Sequence, residues 1–308
     1  METYAGQATQ RKTFYDRTLL SRLTPKLIFF EYGQKKPMPK KEGDTVDFRR
    51  FSRLNPATAA LVEGVTPAAD NITITNVTAT VAQYGSYITF SDKIDEVGID
   101  PFVTETLEVQ GEQAGETLDT IVRDIIAGGT NFFYVGGGVQ RADVAAAHTV
   151  DGATMRRVRQ IMARNNVRPL AGNDYVAFIH PDIAYDIMGD AAWVNANQYA
   201  GSTKLFNGEI GKLYGVRYIE TTMAPIYENE GAGAAVDVYA TLVIGKDAYG
   251  IPDIAGSAKP ETIVKQVGSS GVGDPLNQRG SCGWKCMLTA VRLQELAILR
   301  VESACSVA

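Results

Sequence analysis

Residues 61–94 read LVEGVTPAADNITITNVTATVAQYGSYITFSDKI. A turn segment, EGVTPAAD, leads into a long run rich in Thr, Val, Ile and Tyr, which is strand composition. No second apolar run lies close enough in sequence to be its obvious partner, so the ribbon has little core of its own. Its alternation slips once: Ile72 and Ile74 share one face, whereas Val77, Ala79 and Val81 share the other. A one-residue slip predicts a bulge or bend near Asn76. Upstream, DTVDFRRF (44–51) alternates Val46 and Phe48 against Asp47 and Arg49, and supplies a partner strand. Residues 38–92 thus read as a two-stranded excursion with loops at its far end. Isolated hairpins are marginal in water, so this one needs neighbours.

The flanks follow the same logic. Before residue 26 the chain is polar with apolar anchors Phe14, Tyr15, Leu19, Leu20 and Leu23, whose spacing suits one short amphipathic helix ending before Pro25. KLIFFEYGQ then reads as extended, and the Pro, Lys and Gly of residues 35–43 mark an exposed loop. After the ribbon comes the clearest helix. Asp100 can cap it, Pro101 suits its first turn, and Gly128 and Gly129 end it. Leu107, Ala114, Leu118, Ile121, Val122 and Ile125 recur at helical spacing. At 1.5 Å per residue it spans roughly 40 Å. Gly111 and Gly115 inside it each weaken it by about 1 kcal/mol relative to Ala, so packing must compensate or a bend is wanted there.

NFFYVGGGVQRADVAAAHTV reads as a Gly-rich connector. DGATMRRVRQIMARNN reads as a second helix, with Met155, Val158, Ile161 and Met162 inward and Arg156, Arg157, Arg159 and Arg164 outward. YVAFIHPDIAYDIMGD reads as a buried strand entering a helix at Pro181. LYGVRYIETTMAP, VDVYATLVIG and YGIPDI add strands, so the second half is an α+β body. The last strands are expected beside the long helix.

Composition limits the function classes. A hydrophobic content of 45% and a charged content of 21% fit a folded chain. The net charge of −5 argues against polyphosphate binding as the main task. Cys282, Cys286 and Cys305 are odd in number and clustered late, which reads as reduced thiols rather than a disulfide framework. The opening residues have no apolar signal core, and no run approaches a membrane span of about 20 residues. A soluble product is expected.

Motifs for chemistry are missing. His148 and His180 are far apart and lack metal-ligand spacing. Cys282 and Cys286 form C-x3-C without a second pair, so zinc is not expected. GGTNFFYVGGG lacks the P-loop lysine pattern, and GSSGVGD contains no nucleophile elbow. The arginines of the second helix read as a solvated face or as partners for acids on a neighbouring chain. KKPMPKK reads as a loop tip meeting acidic groups of a partner. An arm, a projecting ribbon, a long helix and a compact body without a catalytic set indicate an assembly protein.

Four stretches carry a resemblance: 61–92, 175–225 (YVAFIHPDIAYDIMG…YIETTMAP), 241–250 (TLVIGKDAYG) and 274–285 (DPLNQRGSCGWK). In this order the chain resembles the major capsid proteins of tailed phages, of the phage N-four type, with the Hong Kong 97 fold. The resemblance implies an α+β subunit. It divides into an N-terminal arm (1–37), an extended β-loop (38–92), a peripheral domain (93–147 and 256–308, spine helix 101–127) and an axial domain (148–255). It implies hexamers and pentamers closing an icosahedral head around double-stranded DNA, with no enzyme activity and no cofactor. Other implied partners are scaffolding, portal and decoration proteins. The implied place is the virion, assembled in the bacterial cytoplasm.

Lys40, Lys41, Arg49, Arg50, Arg53, Glu63, Arg156 and Arg157 are the expected assembly contacts, with Gly111 and Gly115 as a hinge that bends during shell expansion. No motif identifies a lysine–asparagine pair for covalent welding of subunits. An encapsulin-like shell has the same fold but a protein cargo. A cytoplasmic α/β enzyme with a dimerisation arm is the reading from another class.

Overall fold

The structure, a computed structural model, describes residues 28–39, 41, 43–97, 102–170, 172–191, 193–194, 209–254, 258–268 and 274–307. The predicted helix before Pro25, Lys40, and the cap formed by Asp100 and Pro101 lie outside the described residues. In chain order come β1 (Gln34–Met38), β2 (Thr45–Phe51), β3 (Ile74–Thr80), β4 (Ala82–Ser91), α1 (Asp92–Val97) and α2 (Phe102–Ala127). Next are β5 (Phe132–Tyr134), α3 (Gly152–Arg164), β6 (Tyr175–Ile179), α4 (Pro181–Gly189), β7 (Glu209–Leu213), β8 (Val216–Glu220) and β9 (Ile226–Tyr227). The last are β10 (Val238–Ile244), β11 (Tyr249–Ile254), β12 (Glu261–Lys265), β13 (Arg279–Leu288), β14 (Val291–Arg292) and β15 (Ile298–Ser303).

The centre is a mixed sheet in the order β5-β15-β10-β6-β8-β7, with β9 on β10. Its inner strands β6 and β10 are buried on both faces, which is why VYATLVI and YVAFI are near-continuous apolar runs. One face presents Val176, Phe178, Ile219, Leu242, Ile244 and Ile298 to Leu118, Val122 and Ile126 of α2. The other presents Tyr175, Ala177, Ile179, Tyr218, Val243 and Leu299 to α3 and α4. The inward positions of α3 are those its sequence spacing predicts: Met155, Val158 and Met162 are buried. Asp151 caps this helix by accepting from the Thr154 N–H at 2.7 Å.

α2 also covers a second sheet, β12-β13-β4. Gln110 Nε2 donates to the Cys282 carbonyl at 2.8 Å, and Trp284 Nε1 donates to Gln113 Oε1 at 3.2 Å. The late strand β13 lies beside the long helix, as its sequence position suggested. The helix runs unbroken through Gly111 and Gly115 and ends at Ala127, before the two glycines. Its C-terminal carbonyls are taken by arginines: Arg292 donates to Ile125 O at 2.7 Å, and Arg300 to Ala127 O and Gly129 O.

Several sequence expectations need correction. β3 passes Asn76 in continuous register with β2, from Thr45↔Thr80 to Phe51↔Ile74. The apparent slip has another cause: Val77 and Ala79 face a small core with Val46, Phe48 and Met38, while Ile72 and Ile74 are exposed. The break falls at Val81, where the chain leaves β2 and enters a different sheet. β4 therefore has a partner within its own subunit, β13, in register from Ala82↔Leu288 to Ser91↔Arg279. Residues 34–38 are not loop but β1, an edge strand parallel to β11. Its lysines extend over aromatic rings, Lys35 over Phe30 and Lys36 over Phe48, and Pro37 is tolerated at an edge. The segment before it turns instead of extending, with Glu31 N–H donating to Ile28 O. Phe132–Tyr134 is also more than connector, since it pairs in parallel with β15.

The turn at 28–30 is clamped to α2 by one buried carboxylate. Asp119 Oδ2 accepts from the Ile28 N–H at 3.0 Å, and Oδ1 accepts from the Phe30 N–H at 2.8 Å. Burial raises the Asp119 pKa, and the N–H donors oppose that shift. Phe29 between them is fully buried against Phe178, with ring centroids 4.8 Å apart, and its carbonyl accepts from Tyr249 Oη. Asp119→Asn offers only one acceptor oxygen and leaves one N–H facing an amide NH2. It should cost about 1–3 kcal/mol of unfolding free energy, read as a lower urea midpoint at unchanged m-value.

Candidate assembly surfaces

The ribbon β2–β3 stands on a small apolar base. Phe48 packs onto the bare backbone of Gly250, where a Cβ would lie 2.6 Å from the ring. Beyond the base every residue from Phe51 to Asn76 is exposed. This tip carries Phe51, Leu54, Leu61, Val62, Val65, Ile72 and Ile74, with Leu61 78% exposed. Its backbone is pinned at the neck by Ser52 N–H to Thr73 O at 2.8 Å and Thr73 N–H to Ser52 Oγ at 3.0 Å. Seven large apolar side chains in water on an irregular loop form an exposed apolar surface.

The expected contact residues fall into two groups. Arg49 and Arg50 lie on β2, and Arg53 and Glu63 lie in the tip; all are exposed. Lys41 is exposed with a left-handed backbone, φ 68°. Arg49 and Arg50 line a cleft of about 450 Å³ with Lys35 and Lys36, floored by Phe48, Val77 and Leu293. Arg156 and Arg157 sit apart on α3, exposed on the far side of the central sheet. Arg157 bonds to Gln160, and Arg156 lies 5.8 Å from the Tyr214 ring.

Sequence reasoning missed one polar cluster. Glu302, on apolar β15, is fully buried. It accepts from Arg141 Nε at 2.6 Å and Nη2 at 3.1 Å and pairs with Arg300 at 2.6 Å. Arg141 also bonds Glu230 and stacks 3.3 Å from the Tyr227 ring centroid. Burial opposes the Arg141 charge, but the two carboxylates outweigh it and raise its pKa. The only sequence signal was a carboxylate within the strand ILRVES. The cluster ties the 227–234 loop to the sheet, and it holds no nucleophile or open position for chemistry. Arg141→Met leaves Glu302 with one cation and should cost roughly 3 kcal/mol, measurable by denaturant unfolding.

Residues able to do chemistry are held in structural roles. His148 Nδ1 accepts from Ala145 N–H at 3.1 Å. His180 Nδ1 accepts from Asp182 N–H at 3.3 Å at the start of α4, and burial lowers its pKa. All three cysteines are buried free thiols whose pKa values burial raises. Among the described residues, no group of side chains could hold a metal ion. Among them too, no helix is long and apolar enough to cross a membrane.

Comparison with known proteins agrees with this geometry. The family model described as phage capsid protein matches residues 74–301, well over half of the chain. The chain belongs to the phage capsid protein family. No curated protein matches the subunit. Solved structures do. The capsid of Ralstonia phage GP4 is 13% identical at TM-score 0.77, with 99% of this chain and 98% of that chain covered. The Cyanophage Pam1 capsid asymmetric unit is 14% identical at TM-score 0.76, covering 99% and 100%. The capsid structure of Helicobacter pylori bacteriophage KHP30 is 14% identical at TM-score 0.74, covering 98% of each chain. The capsid subunit therefore has the Hong Kong 97 fold, and its function is that of a phage major capsid protein.

Proposed function

We propose that this capsid subunit forms hexamers and pentamers of an icosahedral head that encloses double-stranded DNA, without enzymatic activity of its own. Assembly takes place in the bacterial cytoplasm, with separate scaffolding, portal and decoration proteins as further partners. The observation that supports this most is the tip from Phe51 to Asn76, exposed throughout and rich in apolar side chains. As the extended loop (38–92) it lies over a neighbouring subunit. There its apolar residues are buried, and Lys40, Lys41, Arg49, Arg50, Arg53 and Glu63 make polar contacts around them. The remaining chain divides into an arm (1–37), a peripheral domain (93–147 and 256–308) and an axial domain (148–255). Strands β5 and β15 from the peripheral segments pair into the central sheet.

Negative-stain microscopy of the expressed protein tests the reading: shells or capsomers are expected, and a uniform small dimer would overturn it. Replacing residues 54–71 with Asn-Gly should leave the thermal midpoint of the monomer nearly unchanged and abolish shells, because the tip contributes nothing to the subunit core.

Gly111 and Gly115 form the proposed hinge of α2. An added Cβ at Gly111 meets open space, so no packing need requires glycine there. Gly111→Ala/Gly115→Ala should stiffen the helix by about 1 kcal/mol per site. The expected outcome is shells that form but do not expand; normal expansion with unchanged helix curvature would remove the hinge.

A further inference from the structure

Charge is segregated within the central body. From Gly152 to Asn173 the chain has Arg156, Arg157, Arg159, Arg164 and Arg168 and no acid. From Tyr218 to Gly245 it has Glu220, Glu228, Glu230 and Asp237 and no base. The five arginines are exposed, and none forms an ion pair among the described residues.

The fold sends the two blocks to opposite ends of the sheet. β10 begins at Val238, which pairs with Tyr227 at the neck of the acidic loop. It ends at Ile244, and just beyond it Lys246 N–H donates to Arg168 O at 2.8 Å. Arg159 is fixed at that same far end. Its Nη1 donates to Tyr214 O at 2.7 Å and crosses Gly215, where a side chain would collide with the guanidinium. Glu220 pairs with Ile179 at the acidic end, because β6 and β8 run parallel to each other and antiparallel to β10. The seven residues of β10 separate the ends by roughly 23 Å.

We infer that the arginine face of α3 in one copy docks against the acidic 228–237 loop of the next copy, fixing a head-to-tail contact between axial bodies. This rests on the capsid reading and specifies the partner of Arg156 and Arg157. Symmetry narrows the arrangement. A two-fold contact through α3 sets arginine against arginine, and one through the loop sets acid against acid. A two-fold contact matches basic to acidic only with the bodies side by side and antiparallel, which ends at a dimer; a head-to-tail contact matches them once per neighbour and gives rings where its rotation closes.

The test reverses each side separately. Arg157→Glu/Arg164→Glu makes both ends acidic. Glu228→Lys/Ala235→Lys makes the exposed loop basic while leaving the Glu230–Arg141 bond in place. Each variant alone should stay subunit-sized in native mass spectrometry, at the wild-type thermal midpoint. An equimolar mixture should recover even-numbered rings and no five-membered ones, because an odd alternating ring contains one like-charged contact. Two results overturn the inference. One is either variant forming wild-type rings alone. The other is a variant pair that fails to recover rings when mixed. If the α3 variant assembles normally but loses salt-sensitive binding of a random-sequence DNA duplex, the arginines serve phosphate and the contact is wrong. If the wild-type chain forms neither rings nor shells, the capsid reading itself fails, which is a distinct outcome.

Discussion

The apolar stripe of α2 is the constraint on which the rest of the subunit depends. Ala114, Leu118, Val122 and Ile126 are buried against the central sheet. The preceding turns, through Gln110 and Gln113, hold β13. One helix therefore closes two sheets. Phe178 of the central sheet and Trp284 and Cys286 of the second share a single buried cluster with its stripe. Asp119 in the same helix adds the clamp on residues 28–30. A helix given two glycines and a buried carboxylate is poor in propensity, so its stability comes from what it packs against.

That arrangement leaves the ribbon outside. The inner face of α2 and the inner strands β6 and β10 of the central sheet are buried, but Phe51–Asn76 are exposed throughout. A monomer that meets every need internally would not keep seven large apolar side chains in water. Among the described residues its three thiols are buried and no group of side chains could hold a metal ion. The body is closed and the appendage is open, a contrast that fits the proposed role of the ribbon as a contact between copies.

Legibility in the sequence followed the range of the interactions. The helix over 102–127, the burial pattern of α3, the strand-to-helix passage at Pro181 and the pairing of 45–51 with the following ribbon were readable, because each depends on spacing or on neighbours in sequence. β1 was not. Its five residues, QKKPM, have loop composition, and only the parallel edge of β11, more than two hundred residues away, makes them a strand. β4 likewise finds its partner in β13 at the other end of the chain. The Arg141–Glu302–Arg300 cluster was invisible because a carboxylate in an apolar strand has no local signature of its partners. Of the expected contact residues, exposure could be anticipated from charge, whereas their separation into a ribbon group and an α3 group could not.

The sequence by itself determined the class of molecule: an α+β body with a ribbon and a long helix, and the wording of a phage capsid protein. Periodicity and composition are local properties, and they are written along the chain. The tertiary structure alone decided where the ribbon changes sheets, at Val81 rather than Asn76, and which strands complete the central sheet. It also decided that the arginines of α3 and the acids of the 228–237 loop stand at opposite ends of β10. These follow from long-range pairing, in which each strand's position is set by the edge left free by another, and no window of sequence contains both partners.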